Sequence, residues 1–189
     1  MFRKLTHSTK FLAIAICIII LSPNIFAQWD PSKKSTDPDT GANNKTVLAL
    51  EEFKKIDGLE PYFNEANGYA IFPRVAKGGI GIGGARGKGE VLQNNKVIGS
   101  TSLTQFSVGI QLGGQAFSQI IFFKEEKDTN RFTSGNFEFG AQVSAVLINQ
   151  GVSAETAYSN GIAVFTIAKG GLMYEASVGG QKFSFEEYD

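Results

Sequence analysis

The feature that most constrains this fold is a long stretch without proline. Residues 74–189 contain none, whereas residues 1–73 contain all five. Because proline deletes a hydrogen bond from a β-ladder, this absence favours a continuous sheet. Apolar and polar residues alternate over 104–112, 137–147 and 172–178. Strand side chains point to alternate faces, so each segment is predicted to be a strand with one buried and one solvated face.

In the first of these segments the alternation predicts which residues are buried. The set assigned to the dry face is Thr104, Phe106, Val108, Ile110 and Leu112. The apolar runs IIFF at 120–123 and GIAVFTIA at 161–168 predict strands that are covered on both faces. Residues 124–130 form a charged connection that leads into a short helical turn. Turns are predicted where Asn, Ser and Gly cluster, at Asn94-Asn95, 134–136, 149–151 and 169–171.

The segment before the sheet is predicted to be helical. An apolar stripe recurs at helical spacing from Thr46, formed by Ala49, Leu50, Phe53 and Ile56. Asp57-Gly58 ends this helix, and Pro61 opens a short second one. The predicted fold class is therefore α+β and mainly β. It is a twisted antiparallel sheet curled toward a barrel or sandwich, with one or two N-terminal helices packed on it.

The first 27 residues have the order of a secretory signal peptide. Three basic residues precede an apolar run over 11–21 that is too short to span a membrane, and a small residue, Ala27, precedes Gln28. We predict cleavage between Ala27 and Gln28. Residues 28–44 are polar and contain two prolines, which predicts a flexible leader, and 45–189 form a single domain. We expect an exported protein, periplasmic or secreted, or peripheral on an envelope membrane.

Cleavage would remove His7 and Cys17, the one histidine and the one cysteine of the chain. Ser-His and Cys-His catalytic pairs are then excluded, as are disulfides and zinc sites built on sulfur and nitrogen. The remaining acids cluster in charged connections and at the carboxyl terminus, which are solvated positions. We expect no enzymatic activity, no metal and no cofactor. Three of the 18 basic residues lie in the signal peptide, so the mature chain has 15 basic and 18 acidic residues and a slightly negative net charge. Nucleic acid is therefore not an expected partner.

The stretch KGGIGIGGARGKGEVL at 77–92 is rich in glycine. Gly79, Gly81 and Gly84 match GxGxxG, but no helix is predicted to follow, and Lys88 is followed by glycine rather than by the Ser or Thr of a P-loop. Glycine at alternate positions leaves one strand face bare, so another backbone or an aromatic ring can lie against it. The glycines predicted to pack closely in this way are Gly78, Gly79, Gly81, Gly83 and Gly84.

Basic residues are interleaved with these glycines. Arg74, Lys77, Arg86 and Lys88 occur with no acid before Glu90. A turn near Gly83-Gly84 would gather them at one edge, and Lys169 would join them from a second Ala-Lys-Gly-Gly segment. Such a cluster suits phosphate headgroups through charge and the donor fork of arginine. The alternative is that these are ordinary solvated turn residues.

Four segments, in order, resemble the SYLF domain family. They are GYAIFPRVAKGGIGIGGARGKGEVL, SVGIQLGGQAFSQIIFF, RFTSGNFEFGAQVSA and GIAVFTIAKGGLMYEASVGGQKF, and the similarity covers Val47–Phe185. The resemblance implies a lipid-binding domain, since eukaryotic members bind phosphoinositides and some fungal members bind actin. It also implies membrane contact through an amphipathic N-terminal segment. In this chain the candidates on that segment are Leu50, Phe53, Lys54 and Lys55, for a membrane or a partner.

The sequence thus predicts a non-catalytic envelope protein that binds phospholipid or another amphiphile. An acyl chain could lie inside a closed sheet, or lipid could be met at the surface alone. Two alternatives stay open: a small outer-membrane β-barrel and a protein-interaction module of the envelope.

Overall fold

The fold was defined from a computed structural model that describes residues 37–139, 145–147, 158–169 and 180–189, with the backbone alone at 80–82, 107–113 and 145–147. Ser35–Asp189 form one compact unit. The described residues contain three helices, α1 (Asn44–Lys54), α2 (Glu60–Glu65) and α3 (Glu126–Thr133). They also contain six strands, β1 (Gly68–Gln93), β2 (Lys96–Phe123), β3 (Phe137–Glu138), β4 (Ala145–Leu147), β5 (Ile162–Ala168) and β6 (Gln181–Glu187). The predicted α+β, mainly β class is confirmed.

A long antiparallel hairpin of β1 and β2 dominates the structure. Its register runs from Gly68 opposite Phe123 to Gln93 opposite Lys96. The hairpin turns at Asn94 and Asn95, whose φ angles of 51° and 60° suit the twist of a two-residue β-hairpin turn. This turn was predicted. The two strands predicted at 104–112 and 120–123 are instead parts of the single strand β2.

The second edge of β2 is shared between two other strands. β6 pairs with β2 over residues 99–105, and β5 pairs with it over 117–123. β3 extends the sheet beyond β6, and β4 extends it beyond β5. Every pairing in the described sheet is antiparallel except β4 with β5, which is parallel. The sheet is therefore a bent hairpin whose two halves carry different neighbours.

The two halves of β1 lie against each other where glycine removes the side chain. A Cβ at Gly87 would lie 2.8 Å from Val75 Cγ2 and 3.2 Å from the Arg74 carbonyl oxygen. A Cβ at Gly89 would meet the Ile71 carbonyl and would lie 2.8 Å from the Phe72 ring. The register shifts between Phe72 and Val75, and between Ile80 and Ile82, interrupt the ladder between these contacts. The absence of side chains at Gly87 and Gly89 therefore lets backbone and an aromatic ring pack directly on the strand, which is the kind of contact predicted for this stretch.

The positions of this contact differ from those predicted. It falls on Gly87 and Gly89, whereas Gly84 has only the Gln105 carbonyl oxygen nearby, at 3.3 Å. Close packing at Gly78, Gly79, Gly81 and Gly83 stays a prediction. The predicted turn near Gly83-Gly84 is wrong, because β1 runs without interruption through these residues and the chain reverses only after Gln93. The whole of KGGIGIGGARGKGEVL is strand, with no helix following it.

Two apolar cores result, one between the halves of the bent hairpin and one under the helices. The inner core contains Phe72 and Val75 from one half and Ala85, Val91 and Leu103 from the other. The second core is closed by α1 and α2. Thr46, Ala49, Leu50 and Phe53 of α1 are buried, and Tyr62 and Phe63 of α2 lie 5.5 and 4.9 Å from the Phe122 ring. Both predicted helices are present, and the stripe is confirmed for Ala49, Leu50 and Phe53. However, α1 ends at Lys54, and the fourth predicted member, Ile56, is half-buried just beyond it.

Three buried glutamines join the two halves of β2 through β6. Gln181 Nε2 donates to Gln105 Oε1 at 3.3 Å and to Gln119 Oε1 at 3.2 Å, and Gln119 Nε2 donates to Gln181 Oε1 at 2.9 Å. All three residues are buried. A buried amide is costly unless it is hydrogen-bonded, so this network favours one alignment of β6 on β2. The sequence pattern gave no sign of it.

The glutamine network reverses the predicted faces at the middle of β2. Leu103 and Gln105 are buried, whereas Thr104 is half-exposed and Phe106 is 71% exposed. The assignment of Thr104 and Phe106 to the dry face is therefore wrong. Its physical reason is that Gln105 has amide partners inside, which offset the burial of its polar group. The side chains at 108, 110 and 112 lie outside the described residues.

Residues 37–43 pack on the sheet, although they were assigned to the flexible leader. The Thr40 carbonyl accepts a 2.9 Å hydrogen bond from Val97 N, and Ala42 is fully buried. Asn43 caps α1, because its side chain accepts from the backbone N–H groups of Lys45 and Thr46. The boundary of the leader stays a prediction for 28–36, which the structure does not describe.

Other predictions divide between confirmed and undescribed segments. The turn at 134–136 is confirmed, with φ of 80° at Gly135 and 55° at Asn136. The predicted short helix is present as α3, but it begins at Glu126, within the charged connection 124–130 and not after it. β6 was not predicted. The ends of the predicted strand 137–147 appear as β3 and β4. Four predicted segments lie wholly or mostly outside the described residues: the signal, the turn at 149–151, the turn at 169–171 and the strand at 172–178. No helix in the described ranges is both long and apolar enough to cross a bilayer.

We predict that replacing Gly89 by alanine destabilises the domain. The new methyl group would press on the Ile71 carbonyl and the Phe72 ring, and overpacking of this kind lowers the free energy of unfolding by about 1–3 kcal/mol. The measurement is urea unfolding followed by circular dichroism. The matched control is Gly114→Ala, at an exposed strand position whose nearest neighbour is 3.9 Å away, with an expected change below about 0.5 kcal/mol. Equal stability of the two variants would contradict the close contact.

Candidate functional site: a cationic cleft on the outer face

One face of the second half of the hairpin carries polar and basic side chains in cross-strand rows. Arg86 lies opposite Thr104, which in turn lies opposite Lys182 of β6. The next row is formed by Lys88, Ser102 and Ser184. Directly opposite residues share a face of an antiparallel pair, so both rows lie on the face turned away from the inner core. We call this surface, defined by these two rows, the outer face.

Arg74 reaches this face from the other half of β1. Its carbonyl lies over Gly87, and its side chain lines one cleft with those of Arg86 and Lys88. The cleft has a volume of about 400 Å³ and is lined by Arg74, Ala76, Arg86, Gly87, Lys88, Ser102, Leu103 and Thr104. Three of the five predicted headgroup residues are therefore brought together. They meet because the strand packs on itself at Gly87, and not through the turn that the sequence suggested.

Within the described ranges, carboxylates share the outer face but do not pair with the cations of the cleft: Glu186 lies in the next row, opposite Ser100, and Glu138 ends the row of Arg86. In the ranges that the structure describes, Arg74, Arg86 and Lys88 take part in no ion pair, and all three are exposed. Lys182, which lies next to Glu138 in this row, is already paired with it at 3.3 Å. The cleft thus presents two guanidinium groups and one ammonium group to solvent beside the hydroxyls of Ser102 and Thr104.

Glu90, the first acid after these cations in sequence, is directed to other partners. Its side chain is buried and accepts hydrogen bonds from Asn43 N at 3.1 Å and from the Tyr188 hydroxyl at 3.4 Å. Partial burial and then the adjacent Glu90 carboxylate raise the pKa of Tyr188 above its ordinary value, and its protonated hydroxyl is the donor of the hydrogen bond to Glu90. Glu90 therefore joins the two ends of the domain.

The other two predicted headgroup residues lie elsewhere. Lys77 is half-buried on β1 opposite Gln115 and does not line the cleft. Lys169 follows β5 and forms an ion pair with Glu52 of α1. This pair holds α1 over the sheet on the side of the second core, so Lys169 does not join the cationic cleft.

The predicted membrane or partner residues of α1 are divided between core and surface. Leu50 and Phe53 are 6% and 0% exposed, because they fill the core between α1 and the sheet. Lys54 lies over the Phe63 ring, with its ammonium group 5.7 Å from the ring centroid, and Lys55 is exposed at the carboxyl end of the helix. An apolar stripe that is packed in the core is not available to a bilayer.

Fold and site together define the class as a mainly-β domain with a cationic cleft on one face of a bent sheet. Residues 104–188 match the family model described as Ysc84, Las17-binding protein actin regulator, which corresponds to the SYLF domain. The resemblance predicted from the sequence is therefore confirmed over this segment. The matched segment contains β6 and the three glutamines of the network. Among the polar residues of the cleft it contains Thr104, whereas Arg74, Arg86, Lys88 and Ser102 precede it.

One similar protein supports the same resemblance. Beta cell expansion factor A from Aeromonas veronii is 27% identical over 123 residues, which cover 64% of this chain. The same segment covers 46% of that protein, so the chain spans about half the length of this curated relative. The family is named for binding the protein Las17 and for regulating actin, and the Aeromonas veronii protein is named for beta cell expansion. Neither name refers to a chemical reaction.

Proposed function

We propose that this chain is an exported, non-catalytic lipid-binding protein of the cell envelope, and that its cationic cleft holds the phosphate headgroup of an anionic phospholipid. The single observation that carries the proposal is the convergence of Arg74, Arg86 and Lys88 around one cleft without a carboxylate partner in the described part of the chain. The family resemblance, which implies lipid binding, supports the same ligand class.

The chemistry of the cleft fits a phosphate group better than a carboxylate alone. Two arginines can each offer a planar pair of donors to phosphate oxygens, and a lysine adds a mobile point charge. Thr104 and Ser102 lie on the neighbouring strand, opposite Arg86 and Lys88, where their hydroxyls can donate to a remaining oxygen. The Ser102 hydroxyl also shares a 2.6 Å hydrogen bond with the hydroxyl of Ser184. Since all three cations are solvated, no buried charge has to be created before the ligand arrives.

The expected strength is that of a reversible surface contact. A lysine or arginine close to an anionic membrane contributes about 1 kcal/mol, and the contribution declines with salt over a Debye length of about 8 Å at physiological ionic strength. Three such groups support binding to anionic vesicles that weakens as salt rises. An interior acyl site would add binding that salt does not weaken, so the salt dependence separates the two modes.

The first prediction from this proposal concerns vesicle flotation. Arg74→Gln/Arg86→Gln/Lys88→Gln should lower partition onto vesicles of phosphatidylglycerol and phosphatidylcholine by about 100-fold at low salt, since three contributions of about 1 kcal/mol are lost. Zwitterionic vesicles of phosphatidylcholine should bind neither the parent protein nor the variant. The protein is purified after the expressing cell has exported and processed it, and the fraction that floats with the vesicles is measured.

The matched control removes the same charge elsewhere. Lys45→Gln/Lys96→Gln/Lys127→Gln changes three exposed lysines outside the cleft, so the net charge of the two variants is equal. We expect the control to lose no more than about three-fold in partition. An equal loss in both variants would show that net charge, and not the cleft, attracts the vesicle. Absence of flotation by the parent protein would favour a protein-interaction module instead.

A second prediction concerns export. Expression of the full chain in a Gram-negative host should give a periplasmic or secreted protein whose intact mass corresponds to residues 28–189, because cleavage is predicted after Ala27. Ala27→Arg should slow this processing, since the peptidase requires a small residue before the cut. Recovery of the uncleaved chain from the cytosol would contradict the proposed location.

A further inference from the structure

We propose that Phe106 inserts into the bilayer beside the cationic cleft, as the apolar anchor of the same membrane contact. This inference rests on the proposed function and names the residue that converts a headgroup contact into membrane insertion. Phe106 is 71% exposed, although it lies within the long strand β2 and not on a chain end. It is the most exposed large apolar side chain in the described ranges.

Phe106 is uncovered because the residue opposite it on β1 has no side chain and the ladder with β6 ends at Gln105. On β1 the residue directly opposite is Gly84. On the other side, Gly180 immediately precedes Gln181, the residue paired with Gln105, and a Cβ at Gly180 would meet nothing within 4 Å. Cross-strand neighbours normally cover an aromatic ring on a sheet surface. Here the described cross-strand neighbours leave most of the ring exposed to solvent.

The ring shares the outer face with the cationic rows. Thr104 is two residues away along β2, a distance of about 6.6 Å, and both side chains point to the same side. Arg86 is the diagonal cross-strand neighbour of Phe106, about 7–8 Å away. A flat anionic surface that meets Arg86 and Lys88 therefore also meets Phe106. Phosphates lie at the level of the cations, and the ring can enter the acyl boundary beyond them.

Charge complementarity favours an anionic bilayer as the occupant of this surface. The other strongly exposed apolar residue, Leu48 at 65%, lies on α1 one turn after Lys45 and one turn before Glu51 and Glu52, and Glu52 is paired with Lys169. The surroundings of Leu48 therefore carry no excess of positive charge, whereas Arg86 lies beside Phe106. Leu48 is thus a control that is similar in exposure and lacks the cationic neighbours.

The experiment places a fluorescent reporter at each site in the exported protein. Trp29 is the one tryptophan of the chain, so Trp29→Phe gives a silent background. Phe106→Trp and Leu48→Trp are then made in this background and mixed with vesicles of phosphatidylglycerol and phosphatidylcholine. We expect a blue shift and quenching by brominated acyl chains at position 106, and an unchanged spectrum at position 48. Phe106→Ser should lower partition roughly ten-fold, whereas Leu48→Ser should change it by less than about two-fold.

The outcomes separate this inference from the proposed function. If the protein floats with the vesicles but tryptophan at 106 shows neither shift nor quenching, insertion is wrong and the headgroup contact stands. If tryptophan at 48 responds as strongly as that at 106, the outer face has no special part in insertion and the inference is overturned. If the parent protein does not float at all, both proposals fail together. Circular dichroism of each variant confirms that the fold is retained.

Discussion

The structure depends on the close approach of the two halves of β1. A 26-residue strand can pack on itself only if one half lacks side chains at the contact, and Gly87 and Gly89 supply that gap for the backbone around Val75 and the Phe72 ring. The neighbouring strands, the inner core and the cationic rows are arranged around the resulting bend. β5 and β6 pair with opposite ends of β2, and the inner core forms between the two halves of the hairpin. The helices α1 and α2 cover the second core, whereas the cationic rows lie on the outer face.

The same contact links fold to function, because it brings together residues that are distant in sequence. Arg74 precedes Arg86 by twelve positions, yet both line one cleft, since the carbonyl of Arg74 lies on Gly87. The glycines that match GxGxxG, Gly79, Gly81 and Gly84, lie inside β1 and open no helix. The residue that brings Arg74 beside Arg86 is Gly87, which lies outside that motif. A side chain at Gly87 would disturb the cleft and the core at once.

The sequence predicted the elements better than their faces. Periodicity identified the helices and much of the sheet, and the Asn94-Asn95 turn followed from residues that tolerate positive φ. It could not show that β2 is one bent strand, because a bend depends on which distant backbone fills a glycine gap. Periodicity also could not show that Gln105 is buried in the core and that Phe106 is exposed on the outer face. That choice is made by the amides of Gln119 and Gln181, which come from other parts of the chain.

The location of the proposed membrane contact follows from the same division of faces. The family resemblance placed it on the N-terminal helix, but here Leu50 and Phe53 are packed in the core, and the ion pair between Glu52 and Lys169 ties α1 to the sheet. Exposing that stripe to a bilayer would open the second core, at about 1.5–3 kcal/mol for each large apolar side chain. The outer face requires no such opening. Its cations are already solvated and Phe106 is already exposed, so the sheet is the surface that can meet a membrane without unfolding.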